Sequence, residues 1–240
     1  MTQSASQSLV RPVSVQRNFT NQTPGSVLYR CGETVVLCTA SLENRVPDWM
    51  VGKGKGWITA EYNMLPGSTS PRKSRERGGK VDGRTTEIQR LIGRSFRAVA
   101  DLKKLGERSL TIDCDVLQAD GGTRTAAITG GFIALVDAVN SVFADASKDE
   151  YPLRASLAAI SVGIVDGVPS LDLDYERDYR ADVDMNVVMT GQGRFIEIQG
   201  TGEEATFDDA ELASLLSLAK SGVKQLTDIQ KEALGAGWKF

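Results

Sequence analysis

The most sharply patterned stretch of the chain runs from Ser109 to Val139, SLTIDCDVLQADGGTRTAAITGGFIALVDAV. Leu110, Ile112, Cys114 and Val116 alternate with Thr111, Asp113 and Asp115, the two-residue period of a half-buried strand. Asp120-Gly121-Gly122 ends that strand, because glycine takes backbone conformations that other residues resist. Thr123, Arg124 and Thr125 then lead into about four turns of almost wholly apolar sequence, which predicts a helix buried on most sides.

The same reasoning extends along the rest of the chain. Arg11 to Phe19 roughly alternates and predicts a first strand, with Pro12 at its start. Ser26 to Ser41 predicts a hairpin turning near Arg30 to Glu33. Trp57 to Tyr62 predicts a short strand after the glycines 52, 54 and 56. A helix is expected from Thr85 to about Lys104, ended by Gly106, with Ile88, Leu91, Ile92, Phe96, Val99 and Leu102 as its apolar stripe. Arg90, Arg94 and Arg97 are placed on its exposed face. Leu157 to Val165 reads as a buried strand. Val168 to Tyr175 follows across Asp166-Gly167, which puts Asp172 and Asp174 on an outer face. Met185 to Thr190, opened by Asp184, and Arg194 to Gln199 form another strand pair. Asp208-x-x-Glu211 predicts a capping box before a last helix striped by Leu212, Leu215, Leu216, Ala219, Val223, Leu226 and Ile229.

Hairpins followed by a helix occur in each half of the chain, so the expected class is α+β, with mixed β-sheets packed against α-helices. Positions 1–10 read as a flexible N-terminus and 11–240 as one domain, since 240 residues can bury a sizeable core.

Composition narrows the chemistry. There is no histidine, which removes Ser-His-Asp and Cys-His catalysis and every His-bearing metal motif. Cys31, Cys38 and Cys114 show no C-x-x-C spacing and leave an odd thiol, as expected of a reducing, cytoplasmic setting. The net charge of −3 gives no global basic field, so contact with an anionic polymer needs a local patch. The first residues lack an apolar signal core, and no apolar run is long enough to span a membrane.

Chemistry therefore falls to carboxylates, arginines, backbone amides and an oxygen-ligated divalent ion. Strand, glycine turn, threonine and arginine at a helix start form a candidate oxyanion site, where free N–H groups and the positive helix end converge. The competing reading is a tight turn whose Thr merely caps a core helix. Arg84 stands at another helix start, where a cation opposes the macrodipole unless an anion is shared. Glu176 to Asp184 concentrates carboxylates and reads as a polar loop, a general acid or a Mg²⁺ ligand set. Arg72, Lys73, Arg75, Arg77 and Lys80 face only Glu76. They are either a solvated loop or an arm that follows a phosphodiester backbone.

Five motifs in order, GWITAEYNMLP at Gly56 to Pro66, GRTTEIQRLIGR at Gly83 to Arg94, DCDVLQADGGTRTAAITG at Asp113 to Gly130, DMNVVMT at Asp184 to Thr190 and EIQGT at Glu197 to Thr201, closely resemble the bacterial ribonuclease PH family. The likeness spans the chain from about Arg11 to the last helix. It implies the family's fold and a phosphorolytic 3′→5′ exoribonuclease that trims tRNA precursors beyond CCA, releasing nucleoside diphosphates and reversible by nucleotide addition. It also implies a homohexamer built as a trimer of dimers. On matching positions, Arg84, Gly122, Thr123 and Arg124 are implied to bind inorganic phosphate, the co-substrate. Asp178 and Asp184 are implied to be the catalytic pair and the ligands of Mg²⁺ or Mn²⁺. Arg72, Lys73, Arg75 and Arg77 resemble the basic loop that contacts tRNA.

Two departures stand out. Gly67 follows Met64-Leu65-Pro66 where the family commonly has arginine, which puts one RNA contact in question. Arg177 sits beside Asp178 where relatives carry an apolar or acidic residue, and is placed to perturb that carboxylate. The alternative from another class is a catalytically inactive RNA-binding ring subunit of the same fold, which retention of Arg84, Thr123, Arg124, Asp178 and Asp184 argues against. A P-loop enzyme is not supported, since GxxxxGK[ST] is absent. Polynucleotide phosphorylase would need a far longer chain.

Overall fold

The computed structural model describes residues 8–75, 82–203 and 205–240. In chain order the elements are β1 (Val13–Arg17), β2 (Gly25–Cys31), β3 (Thr34–Glu43), β4 (Trp57–Met64), α1 (Gly83–Val99), α2 (Leu102–Leu105), β5 (Ser109–Gln118) and α3 (Thr123–Phe143). Then come β6 (Leu157–Val165), β7 (Val168–Leu171), α4 (Tyr175–Tyr179), β8 (Ala181–Thr190), β9 (Phe195–Gly202) and α5 (Asp209–Leu234). The strands form two sheets, β1-β2-β3-β5-β4 and β7-β6-β8-β9. Every pairing is antiparallel except β4 with β5, so the first sheet is mixed.

The alternation at Leu110, Ile112, Cys114 and Val116 has a direct outcome: all four are buried in β5, while the intervening positions are not. The helix after the glycine turn, α3, lies between the two sheets. It packs on β2, β3 and β5 through one side and on β6 through the other. It is the one helix among the described residues long and apolar enough to cross a membrane, and most of it is buried in the core. Gly130 lets it approach the first sheet, because a Cβ there would stand 2.7 Å from Cβ of Tyr29. Strand β6 is apolar at nearly every position for a related reason. Leu157 and Ala159 face the core around α3, while Ala158, Ile160 and Val162 face a second core under α5. Gln230 of α5, fully buried, ties the layers by donating to the carbonyls of Thr129 and Leu157, each at 3.0 Å. At the N-terminal side, Gln225 of α5 bonds to the Val10 amide and the Ser8 carbonyl.

Three expectations need correction. The helix from Thr85 does not run to Lys104. It stops at Val99, where Ala100 is extended and bridges Leu153, and Asp101 caps the separate α2. Arg97 is not on a bare outer face. Its guanidinium lies 4.6 Å from the centroid of Trp57 and donates to the Ile58 carbonyl, and burial lowers its pKa. The strand from Val168 ends at Leu171, and Tyr175 begins a helix. Asp172 takes a positive φ of 54° and points inward, 1% exposed, which alternation could not foresee. The reason is its partner: Arg11 donates to both its carboxylate oxygens, at 2.8 to 3.0 Å, from its main-chain N–H, Nε and Nη2.

A cleft between the glycine turn and two carboxylates

A cleft of about 580 Å³ opens where the β5–α3 turn meets the start of α1, helix α4 and strand β8. Its floor on one side is the turn Asp120 to Gly122. Gly121 and Gly122 have φ of 69° and 63°, the left-handed region that favours glycine. Gly121 also has no room for a side chain, since a Cβ would stand 2.5 Å from the Leu173 carbonyl oxygen.

The helix that follows is uncapped by any side chain. The starts of α1, α2, α4 and α5 are each capped by an aspartate, Asp82, Asp101, Asp174 and Asp208, the last within the expected capping box. Only α3 among these begins on a glycine with no side-chain acceptor for its first N–H groups. Those donors and the positive helix end face the cleft, an arrangement that favours an anion. The reading in which a threonine merely caps this helix is therefore not what the fold builds.

The side chains beside the turn are held ready. Tyr62 donates its O–H to Thr123 Oγ1 at 2.9 Å, which leaves the threonine proton to be donated elsewhere. Arg124 donates from Nη1 to Gln199 of β9 at 2.6 Å and lies 3.5 Å from Glu87 of α1. Gln199 in turn donates to Glu87 at 3.2 Å, so the guanidinium is gripped by two elements. Arg84 lines the same cleft from the first turn of α1. There Asp82 accepts from the Thr85 amide and pairs with Lys73 at 2.9 Å, which together depress the pKa of Asp82.

Across the cleft stand Asp178 on α4 and Asp184 on β8. Strand β8 begins at Ala181, so Asp184 sits within it rather than at its start. Burial raises the pKa of Asp178; Arg124 opposes this, Glu203 adds to it, and Arg84 and Arg11 oppose it. Asp184 is pushed up to about 6, first by burial and then by Asp178 and Glu203, against Arg124 and the Met185 amide. Its Oδ1 is buried with no hydrogen-bond partner. Two desolvated, mutually repelling carboxylates with an orphaned oxygen fit a divalent cation, which would reverse both penalties. No group of three or more potential metal ligands occurs among the described residues, so the protein offers a pair and leaves other positions to water or substrate.

The fold thus brings together Arg84, Gly122, Thr123, Arg124, Asp178 and Asp184. The basic segment joins it partly. Lys73 lines the cleft, Arg75 lines a neighbouring cavity of about 390 Å³ beside Asp115, Arg72 is exposed, and Arg77 lies outside the described residues. Arg177 has partners at the cap of its own helix and in the segment before it. It bonds to Asp174 at 3.2 Å and to the Asp172 carbonyl at 2.7 Å, fastening the base of α4.

Sequence reasoning missed Arg11, Asp172, Glu203, Glu87 and Gln199. Arg11, 9% exposed, joins the halves of the site: besides Asp172 it donates to the Asp120 carbonyl at 2.6 Å. Burial works against its charge, but hydrogen bonding and attraction from Asp172 prevail and raise its pKa. Burial, and then the same carboxylate, push the Cys31 thiol up to about 12, away from thiolate chemistry. Only the start of Arg11 in an alternating stretch hinted at burial; its partner is 161 residues away.

Comparison with known proteins identifies the family and the fold. Residues 9–140 match the family described as 3′ exoribonuclease family, domain 1, and residues 155–222 match domain 2 of the same family. The chain is 64% identical over 230 residues to a ribonuclease PH of Rhodopirellula baltica, covering 94% of each. Among solved structures, rice Rrp46 superposes with a TM-score of 0.77 at 18% identity, covering 96% of this chain and 98% of that one. An Archaeoglobus fulgidus exosome with RNA bound to the active site matches with a TM-score of 0.75 at 19% identity, covering 92% and 88%. These last two likenesses concern the fold.

Proposed function

The chain belongs to the ribonuclease PH family of 3′ exoribonucleases, and on that premise we propose that it is a phosphate-dependent nucleotidyltransferase that trims tRNA precursors. It removes nucleotides 3′→5′ beyond CCA, consumes inorganic phosphate and releases nucleoside diphosphates. In reverse it adds nucleotides from nucleoside diphosphates. The observation that carries this reading is the uncapped start of α3, with Thr123 and Arg124, facing Asp178 and Asp184 across one cleft.

Inorganic phosphate is already a nucleophile, so no histidine or serine need be activated. What it needs is positioning beside a phosphodiester that is itself anionic. The α3 amides, the Thr123 hydroxyl and the guanidiniums of Arg84 and Arg124 supply donors and positive charge there. A phosphate oxygen attacks the terminal phosphorus, the bond to the neighbouring ribose 3′ oxygen breaks, and that oxygen takes a proton. Asp178 and Asp184, buried beside one another with raised pKa values, are the groups at this end of the cleft that can assist that transfer. The same pair would hold Mg²⁺ or Mn²⁺, which when bound supplies neutralisation of the developing negative charge. Arg72, Lys73, Arg75 and Arg77 contact the RNA backbone, Lys73 from the wall of the cleft itself. The working assembly is a homohexameric ring, a trimer of dimers, in the cytoplasm.

Purified protein given RNA with a 3′ extension and Mg²⁺ should shorten it only when phosphate is added, with nucleoside diphosphates as products by chromatography. Monophosphate release without phosphate would refute phosphorolysis. The inactive-subunit alternative would give no shortening under either condition.

A further inference from the structure

Helix α4 presents two tyrosines that the chemistry so far does not use. Tyr175 is 63% exposed and Tyr179 is 81% exposed, one turn apart on the helix that carries Asp178. Their rings lie 6.4 Å apart between centroids at 27°, a near-parallel pair. Tyr175 lines the cleft with the glycine turn and both carboxylates, and it is the only aromatic side chain among the described residues that do. Its backbone N–H is tied to Asp120 Oδ1 at 3.3 Å, so the ring's position is coupled to the turn that begins α3.

Apart from Met64 and Ala119, the other groups lining this cleft are polar, charged or glycine and suited to phosphate and ribose oxygens, and a flat base gains most from a flat ring. A trimming enzyme must also accept any base at the end it shortens. Stacking on a ring meets both needs, because every base has a π-face, whereas hydrogen bonds to base edges would discriminate. We propose that Tyr175, backed by Tyr179, is the stacking platform for a base of one of the two nucleotides that flank the scissile linkage. The proposal rests on the function given above.

The test removes base and ring in turn. Short RNAs carrying an abasic ribose at the terminal or the penultimate position are bound, without phosphate, to wild type, Tyr175→Ala and Tyr175→Phe. Wild type should bind one abasic RNA about tenfold more weakly than the intact one, within the range of base–aromatic stacking. Tyr175→Ala should lose that discrimination, and Tyr175→Phe should restore it, since the ring rather than the hydroxyl acts. A 2-aminopurine at the same position should be quenched by wild type and by the Phe variant alone. Discrimination that persists in Tyr175→Ala, or is absent in wild type that binds RNA, overturns the platform. Wild type that fails to shorten RNA with phosphate refutes the underlying function instead, and the two failures are read in separate assays.

Discussion

The two sides of the cleft are built on opposite electrostatic terms. On the α3 side every group gains from an incoming anion: an uncapped helix start, a hydroxyl with its proton to give, and guanidiniums gripped or free to meet phosphate. On the α4–β8 side the charges oppose one another before any ligand arrives, with two carboxylates desolvated and Glu203 nearby. The difference teaches where the fold spends stability. The anion side is close to an ordinary turn and helix, whereas the carboxylate side carries an unfavourable charge arrangement, the kind that collects at functional sites.

The sharpest way to break that contrast is Asp184→Asn. Turnover should fall by roughly 10²–10⁴-fold, the range of a lost general acid or base, in a phosphorolysis assay. The same variant should be more stable than wild type at pH 7.5 in EDTA, by on the order of 2 kcal/mol. Burial, and then Asp178, push Asp184 up to about 6 when folded, above its unfolded value, so the folded chain keeps a proton that the unfolded chain releases. Its stabilising contribution is full at low pH and is lost as pH rises through that window. The advantage of the asparagine should therefore vanish below about pH 4 in urea titrations. A variant equally active, or less stable at pH 7.5, would remove the carboxylate side from the argument.

Next in size is Arg11→Ala, which leaves Asp172 buried without its partner and should cost about 3–5 kcal/mol of unfolding free energy in urea titrations. A loss under ~1 kcal/mol would mean the halves are not joined through this pair. Arg124→Ala should raise KM for phosphate roughly 10–100-fold, the worth of a charge-assisted hydrogen-bonding group, with KM for RNA changing far less. Equal shifts in both constants would place Arg124 on RNA rather than on phosphate. The smallest effect belongs outside the cleft. Replacing Arg72, Arg75 and Arg77 together should weaken tRNA binding and flatten the slope of log K against log salt by roughly 2. An unchanged slope would make the segment a solvated loop.

The two sides also differed in how far they could be read beforehand. The anion side was legible because it is local: Gly121, Gly122, Thr123 and Arg124 are consecutive, and strand period, glycine turn and apolar helix flank them. The carboxylates were recognisable by motif, but their coupling was not, since the pressure on Asp184 comes from burial and from the approach of α4 to β8. Asp172 shows the limit most plainly. Its alternation with Leu171 and Leu173 pointed outward, and a charge partner at the far end of the chain turned it inward. Arg97 was misplaced for a similar reason, because an exposed helix face and a Trp-covered one have the same spacing. The break at Ala100 escaped notice because Leu102 keeps the helical period through it.

By itself the sequence determined the elements and most of their buried faces, because period 2 and period 3.6 are properties of neighbouring residues. It also determined the absence of histidine chemistry and the run Gly121-Gly122-Thr123-Arg124 that starts α3. Tertiary structure alone decided that this turn faces Asp178 and Asp184, that Arg124 is gripped by Gln199 and Glu87, and that Arg11 fastens the two sides. Those relations join residues far apart in the chain, and burial and charge pairing act through space, where spacing along the chain carries no information about them.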